Sequence, residues 1–301
     1  MKHSKQILKI TLLAFTLASS PLTSFADSLQ KQFVDLENSS GGRIGISAIN
    51  TGNGMTIKYR ANERFPVGCT AKVIGVSAIL KKSMTDKTFL NQRITYSKKD
   101  LTNWTPITKK HLREGMTIAE LAAASISYSD NTAMNLLAAK IGGPKGITNF
   151  ARSIGDEGFR LDHGWPEEAM SGPKDLTDST TPSAMAKTFE KLALGKILGL
   201  PQQKLLQTWL INNRTGKHRI RAAVPKGWIV GDKTGSGFFH GTTNDIGLIW
   251  APKCKPIVVA IYYTNDKKEA VKREDIIVSA TRILLKEFAG TDQCIKRSLP
   301  S

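Results

Sequence analysis

The sequence predicts an α/β fold joined to an all-α unit: a mixed antiparallel sheet built from both ends of the chain, flanked by helices, with a helical domain inserted between. Three observations predict it. Strand-like runs occur early ("GRIGISAIN", "MTIKYR") and late ("WIVGDKTG", "TNDIGLIWA", "IVVAIYYT"). Between them the apolar residues recur at helical spacing, punctuated by Gly and Pro. No internal repeat or low-complexity linker divides the chain, so subdivision must come from topology.

The N-terminus comes first. "MKHSKQILKITLLAFTLASSPLTSFADS" places lysines at 2, 5 and 9 ahead of an apolar run and then Ser24-Phe25-Ala26, the layout of a secretory leader cut after Ala26. The run is too short to cross a membrane, and no later segment is long enough, so an exported protein without a membrane span is expected, either periplasmic or secreted. Leu29–Leu36 reads as a helix end, and "TGNG" as the turn joining the first two strands. "AKVIGVSAILKK", "TIAELAAASISYS", "NTAMNLLAAKIG", "GITNFARSIG", "SAMAKTFEKLAL" and "PQQKLLQTWLIN" read as successive helices. After the late strands, "EDIIVSATRILLKEFAG" reads as a helix ending at Gly290. The expected organisation is a leader at 1–26, a sheet domain from 27–65 and 211–301, and a helical insert at 66–210 that includes a long loop at 160–182. A ligand belongs in the cleft where the two parts meet.

The formal net charge of +18 falls to +15 without the three leader lysines. The basic residues are scattered ("KKSMTDK", "TKKHLREG", "NDKKEAVKRED") and do not interleave with aromatics, which argues against nucleic-acid binding and for solvated faces. His218 and His240 lack zinc-site spacing, and no cofactor or metal is expected. Trp209, Trp228 and Trp250 sit in apolar surroundings that suit a core.

Three short segments can carry chemistry. In "FPVGCTAKVIGVSAIL", Cys69 and Lys72 leave the same side of a helix N-terminus, where the helix dipole and an ammonium would both favour a thiolate. A small buried cysteine beside a snorkelling lysine explains that stretch equally well. Ser129, Asp130 and Asn131 lie in "SYSDNTAMN", a break between helices and a good N-cap. Lys233, Thr234 and Gly235 lie in "GDKTGSG" at a strand end, also a reasonable turn. Together they supply what acyl transfer needs: a nucleophile, a proton relay and a cation for a carboxylate.

Nucleophile-x-x-Lys, Ser-Asp-Asn and Lys-Thr-Gly in this order resemble the motifs of class A β-lactamases and their penicillin-binding relatives, over nearly the whole exported chain. The segment "NRTGKHRIRAAVPKGWIVGDKTGSG" is similar to the approach to the Lys-Thr-Gly strand in that family. The resemblance implies Cys69 as nucleophile, Lys72 as its activator and Ser129 as the shuttle delivering a proton to the lactam nitrogen, with Lys233 assisting. It implies Asn131 and the aromatic gate Trp104 around the substrate side chain, and Thr234, Ser236 and Arg219 around its carboxylate. Backbone N–H groups of Cys69 and Ser236 would form the oxyanion hole, each donor worth roughly 3 kcal/mol. Asp130 supports the loop.

Two departures stand out. The family has serine at Cys69, so the covalent product here would be a thioester; Thr70 is one residue too close to Lys72 to substitute. In "FRLDHGWPEEAMSGPKDLTDSTTP", counting inward puts Trp165 where the family has its deacylating glutamate, Ala169 where an asparagine holds water, and His163 opposite Asp178 where an arginine closes the loop. Trp165 cannot activate water. Glu167 and Glu168 are the nearby carboxylates, and using either needs the loop to shift by two or three residues. The expected function is β-lactam hydrolysis on a small-molecule substrate by a monomer. The other readings are a binder of β-lactams or cell-wall fragments that stays acylated, and a thiol hydrolase or acyltransferase on another periplasmic compound.

In this fold the strand after Cys254 and the terminal helix before Cys294 run antiparallel. Eight strand residues span about 26 Å and seventeen helical ones about 25 Å, so the two cysteines should meet as a disulfide, leaving Cys69 free.

Overall fold

The computed structural model describes residues 21–300; the leader reading lies outside the described residues over positions 1–20. Helix α1 (Pro21–Ser40) enters β1 (Arg43–Asn50), which turns back as β2 (Thr56–Tyr59). The turn is set locally: Asn50 Oδ1 accepts from Gly52 N at 2.8 Å. A two-residue strand β3 (Phe65–Pro66) precedes α2 (Ala71–Lys82), and the pair β4 (Arg93–Ile94) and β5 (Met116–Thr117) precedes α3 (Ile118–Ser127), α4 (Asn131–Ala139) and α5 (Gly143–Ser153). Strand β6 (Ser179–Thr180) pairs with β3 and leads to α6 (Pro182–Ala193), α7 (Leu200–Ile211) and the single turn α8 (Ile220–Ala223). The chain finishes as β7 (Ile229–Ser236), β8 (Thr243–Trp250), β9 (Ile257–Thr264), α9 (Glu274–Thr291) and α10 (Gln293–Ser298).

Helix starts follow side-chain chemistry. Thr117 and Glu120 form a reciprocal capping box at α3, and Thr181 caps α6 with Pro182 at its first position. The early and late parts of the chain assemble one five-stranded sheet in the order β2-β1-β9-β8-β7, while β3 with β6 and β4 with β5 form two-stranded pairs. Every neighbouring pair is antiparallel, in keeping with the antiparallel sheet flanked by helices that the sequence predicts. The late strands follow one another through short reversals, and β1 docks against β9 in the opposite direction.

Period-two alternation along β9 divides the core. Val258, Ala260 and Tyr262 join the helical side with α2, α3 and α6; Ile257, Val259, Ile261 and Tyr263 join the opposite side with α1 and α9. With both faces covered, β9 is buried along its whole length. Among the described residues no helix is long and apolar enough to cross a membrane.

The terminal helix corrects one boundary. It continues through Gly290 to Thr291, and the stop is made by Asp292, whose carboxylate accepts from Cys294 N at 2.8 Å and starts α10. An Asp cap gives the break more firmly than a glycine that is free to remain helical. Cys254 and Cys294 are bridged, 40 residues apart in sequence. Loop closure of that length predicts that reduction, or the paired Cys254→Ser and Cys294→Ser changes, lowers the unfolding free energy by about 2–4 kcal/mol in urea titrations.

Candidate active site

The site starts where β3 gives way to α2. Gly68 has a φ of +51°, and a Cβ there would come within 3.2 Å of Ser236 N, so both backbone sign and crowding require glycine. The 3₁₀ turn Gly68–Thr70 sets Cys69, partly buried, on the floor of a cavity of about 280 Å³ between sheet and helical unit. Thr70 turns inward, donating to Val67 O at 2.6 Å and pairing with the Tyr262 hydroxyl at 3.0 Å.

Lys72 is fully buried, its Nζ donating to Ser129 O at 2.7 Å and Asn131 Oδ1 at 2.5 Å and lying 3.4 Å from Ser129 Oγ. On the sheet side, Lys233 of β7 donates from Nζ to the same Ser129 Oγ at 3.0 Å and to Thr234 O at 2.9 Å. Ser129 occupies left-handed backbone, φ +58°, in the three-residue break between α3 and α4. Asp130 holds that break: its buried carboxylate accepts from Ala133 N at 2.9 Å, Ile107 N at 3.0 Å and Thr108 N at 2.9 Å. The two lysines and one hydroxyl thus form a continuous polar chain beside Cys69.

Charge follows burial. Desolvation pushes the Cys69 thiol up, but Lys72 and then Lys233 outweigh it, with hydrogen bonds from Ser129 and Glu168, and bring it down to about 7. Burial holds Lys233 down to about 8. Glu168 is driven well above the usual carboxylate range, first by burial and then by the charge of Cys69.

The long loop carries the main difference from the sequence count. Its ends are tied by Arg160 N to Ser179 O (2.8 Å) and Ser179 N to Arg160 O (2.9 Å). Trp165 is a buried plug: Asn135 of α4 clasps its backbone from both sides, at 3.0 Å and 2.6 Å, and its ring lies 5.5 Å from Lys72 Nζ. The following 3₁₀ turn, Glu167–Met170, leaves Glu167 exposed and brings Glu168 inward, with Oε1 3.5 Å from Cys69 Sγ. The carboxylate that reaches Cys69 is therefore three residues along from the position counted, and it is Glu168.

At the mouth, Trp104 is 62% exposed and donates from Nε1 to Tyr128 O at 3.0 Å. Thr234 and Ser236 line the opposite wall. Arg219 also borders the cavity, but its guanidinium donates to Gly235 O and Asn244 O and pairs with Glu274 at 3.1 Å; its route to a ligand runs through Ser236 Oγ, 2.8 Å away. Sequence reasoning missed Asn103, whose Oδ1 accepts from Asn131 Nδ2 at 2.8 Å, and Thr215, 2.6 Å from Thr234 Oγ1. Asn103 carries no motif signal beyond adjacency to Trp104, whereas Thr215 is the threonine of the quoted "NRTG" and could have been singled out there. No group of metal-ligating side chains occurs among the described residues.

His163 Nδ1 meets Asp178 Oδ2 at 2.6 Å, and the carboxylate raises the imidazole pKa above its ordinary 6.5. A group raised on folding stabilises fully below its unfolded value and loses that contribution as pH rises through the folded one. His163→Gln is therefore expected to cost stability at pH 6 and less above pH 7.5, by well under about 1 kcal/mol because the ring is half exposed. Paired thermal melts at the two pH values measure it; an equal cost at both would refute the charged clamp.

A cleft that sets two lysines and a bridging hydroxyl beside a thiol has the groups that acyl transfer draws on. The profile of the β-lactamase enzyme family matches residues 28–288. The chain is 49% identical over 271 residues to β-lactamase Toho-1 of Escherichia coli, covering 90% of this chain and 93% of that one. It is 46% identical over 280 residues to β-lactamase OXY-2 of Klebsiella oxytoca, covering 92% and 96%. Among solved structures, an ancestral class A β-lactamase superposes with TM-score 0.83 at 46% identity, covering 86% of this chain and all of that one. The β-lactamase from Desulfarculus baarsii superposes with TM-score 0.86 at 42% identity, covering 87% and 98%. The chain belongs to the class A β-lactamases and is a β-lactam hydrolase.

Proposed function

We propose that this protein opens β-lactam rings by acyl transfer to Cys69. The observation that carries the reading is the convergence of Lys72, Lys233 and Ser129 on a thiol lowered to about 7, near the pH at which it must act. The thiolate attacks the lactam carbonyl: a C–S bond forms, the C–N bond breaks, and Ser129 Oγ gives the leaving nitrogen its proton. Lys233, held down to about 8, can replace that proton. Backbone N–H groups of Cys69 and Ser236 receive the oxyanion, and Thr234 and Ser236 take the carboxylate, with Arg219 behind Ser236. Asn131 and Trp104 contact the side chain. No metal or other cofactor enters the scheme. The leader at 1–26 supports export to the periplasm or medium, where the Cys254–Cys294 bridge is stable, and the protein acts as a monomer.

The test is the exported form, residues 27–301, mixed with a chromogenic cephalosporin and followed by absorbance and intact mass. A transient adduct on the Cys69 peptide with continuing turnover is expected. An adduct that never decays would favour a binder that stays loaded, and absence of any adduct would remove Cys69 from the chemistry.

A further inference from the structure

We propose that Cys69 and Glu168 hold one proton between them in the free protein, and that acylation of the sulfur turns Glu168 into the base that cleaves the thioester. This rests on the acyl transfer to Cys69 proposed above and adds how the intermediate leaves.

The placement is specific. Glu168 Oε1 is 3.5 Å from Cys69 Sγ, the residue is 1% exposed, and Oε2 has no hydrogen-bond partner among the described residues. A buried carboxyl oxygen with no partner is costly unless it is protonated or meets a polar ligand during the reaction. The backbone holds it there: Glu168 N donates to Gly164 O and Ala169 N to Pro166 O, both at 3.0 Å, while Phe238 N beyond β7 fastens Ala169 O at 2.9 Å. Trp165 fills the space behind, its ring 5.5 Å from Lys72 Nζ.

Thiolate and carboxylate at this separation repel, so a single proton serves both. Lys72 and Lys233 face the sulfur, and Lys72 also acts on Glu168; both cations make the sulfur a good seat for the negative charge. The proton then sits on Glu168, consistent with the upward push that Cys69 exerts on it. Once the sulfur is a neutral thioester that push is gone, while the attraction of Lys72 stays.

The cycle balances. Thiolate attack consumes the sulfur's charge, and the nitrogen takes one proton from Ser129. Lys233, 3.0 Å from Ser129 Oγ, returns that proton, and the proton released by Glu168 afterwards makes the lysine pair whole again. Glu168, now ionised, removes a proton from water as the oxygen attacks the thioester carbonyl; the C–S bond breaks and Cys69 leaves as thiolate. Glu168 carries the proton again, as it began.

Single-turnover experiments with a chromogenic cephalosporin test both halves. Glu168→Gln should form the Cys69 adduct at a rate within about 10-fold of the parent and lose it at least ~10²-fold more slowly, the usual range for a missing general base. Glu168→Asp, which keeps the carboxyl one methylene back, should recover part of the decay. Infrared difference spectra should show a protonated carboxyl band that disappears on acylation and is absent in Glu168→Gln, a signal a merely structural role would not produce. Parent-like decay in Glu168→Gln overturns the base assignment. A carboxyl band that survives acylation overturns the proton exchange. If the parent forms no adduct on Cys69, the acyl-transfer reading itself fails, and the mass spectrum shows this before any decay is measured.

Discussion

Cys69→Ala is expected to abolish the acyl adduct and lower cephalosporin turnover by about 10⁴-fold or more, the scale on which enzymes lose activity when a covalent nucleophile is deleted. Neighbouring hydroxyls cannot take over. Thr70 Oγ1 is fully buried and committed to Val67 O and Tyr262. Ser129 Oγ is fixed between Lys72 and Lys233, on a left-handed backbone that holds it there. Cys69→Ser keeps the spacing to Lys72 and tests the chemistry of the bond: its adduct is an oxygen ester that survives neutral hydroxylamine, whereas the parent's thioester is cleaved by it. Turnover in Cys69→Ala within 10-fold of the parent would exclude the sulfur as nucleophile. Loss confined to Cys69→Ala, with a folded protein by melting temperature, supports it.

How much of this could be read from the chain depends on what local pattern encodes. Strands such as "IVVAIYYT" and helices such as "SAMAKTFEKLAL" appear within a few residues of their sequence limits, because side-chain period fixes which face is buried. Cys69, Lys72 and Ser129 could be placed together because each sits at or beside a helix end, and Lys233 because strand period fixes its face within β7. The loop is different. Counting residues from its ends put Trp165 at the base position, but a count does not say which residue a turn points inward. The indole is the largest apolar side chain in the segment and claims the buried slot, and the 3₁₀ turn behind it delivers Glu168 rather than Glu167. Asn135 and Asn103 were illegible for a related reason: an asparagine reveals its partner only once distant segments meet, Trp165 in one case and Asn131 in the other. Gly290 misled because glycine permits a helix stop without requiring one.

The second large effect falls on a residue that touches no substrate. Asp130 is fully buried, and its two oxygens accept from Ile107 N, Thr108 N, Thr108 Oγ1 and Ala133 N at 2.9 to 3.0 Å. Asp130→Ala leaves four donors without their acceptor in a site water reaches poorly. Each such orphan costs roughly 1–3 kcal/mol, and because they share one partner the costs do not add; a net loss of about 3–5 kcal/mol is expected. The damage extends to the chemistry through the chain on either side. Ser129 O and Asn131 Oδ1, which flank Asp130, are the two close acceptors of Lys72, and Asn131 N holds Trp104 O at 3.1 Å. Once the cap is gone the break between α3 and α4 relaxes, Ser129 leaves its left-handed backbone, and Lys72 loses both anchors at once. Displacements of about 1 Å in such groups lower kcat/KM by about 10²-fold, so that loss is expected in the fraction that remains folded. Asp130→Asn keeps a carbonyl oxygen for the α4 cap but gives up the charge that serves Ile107 and Thr108, and should fall between the two. Urea unfolding and kcat/KM on the same preparations decide it. An Asp130→Ala protein with the parent's midpoint would show that α4 and the Trp104 segment are held by packing alone, whereas a destabilised variant with undiminished kcat/KM would separate the cap from the positioning of Lys72.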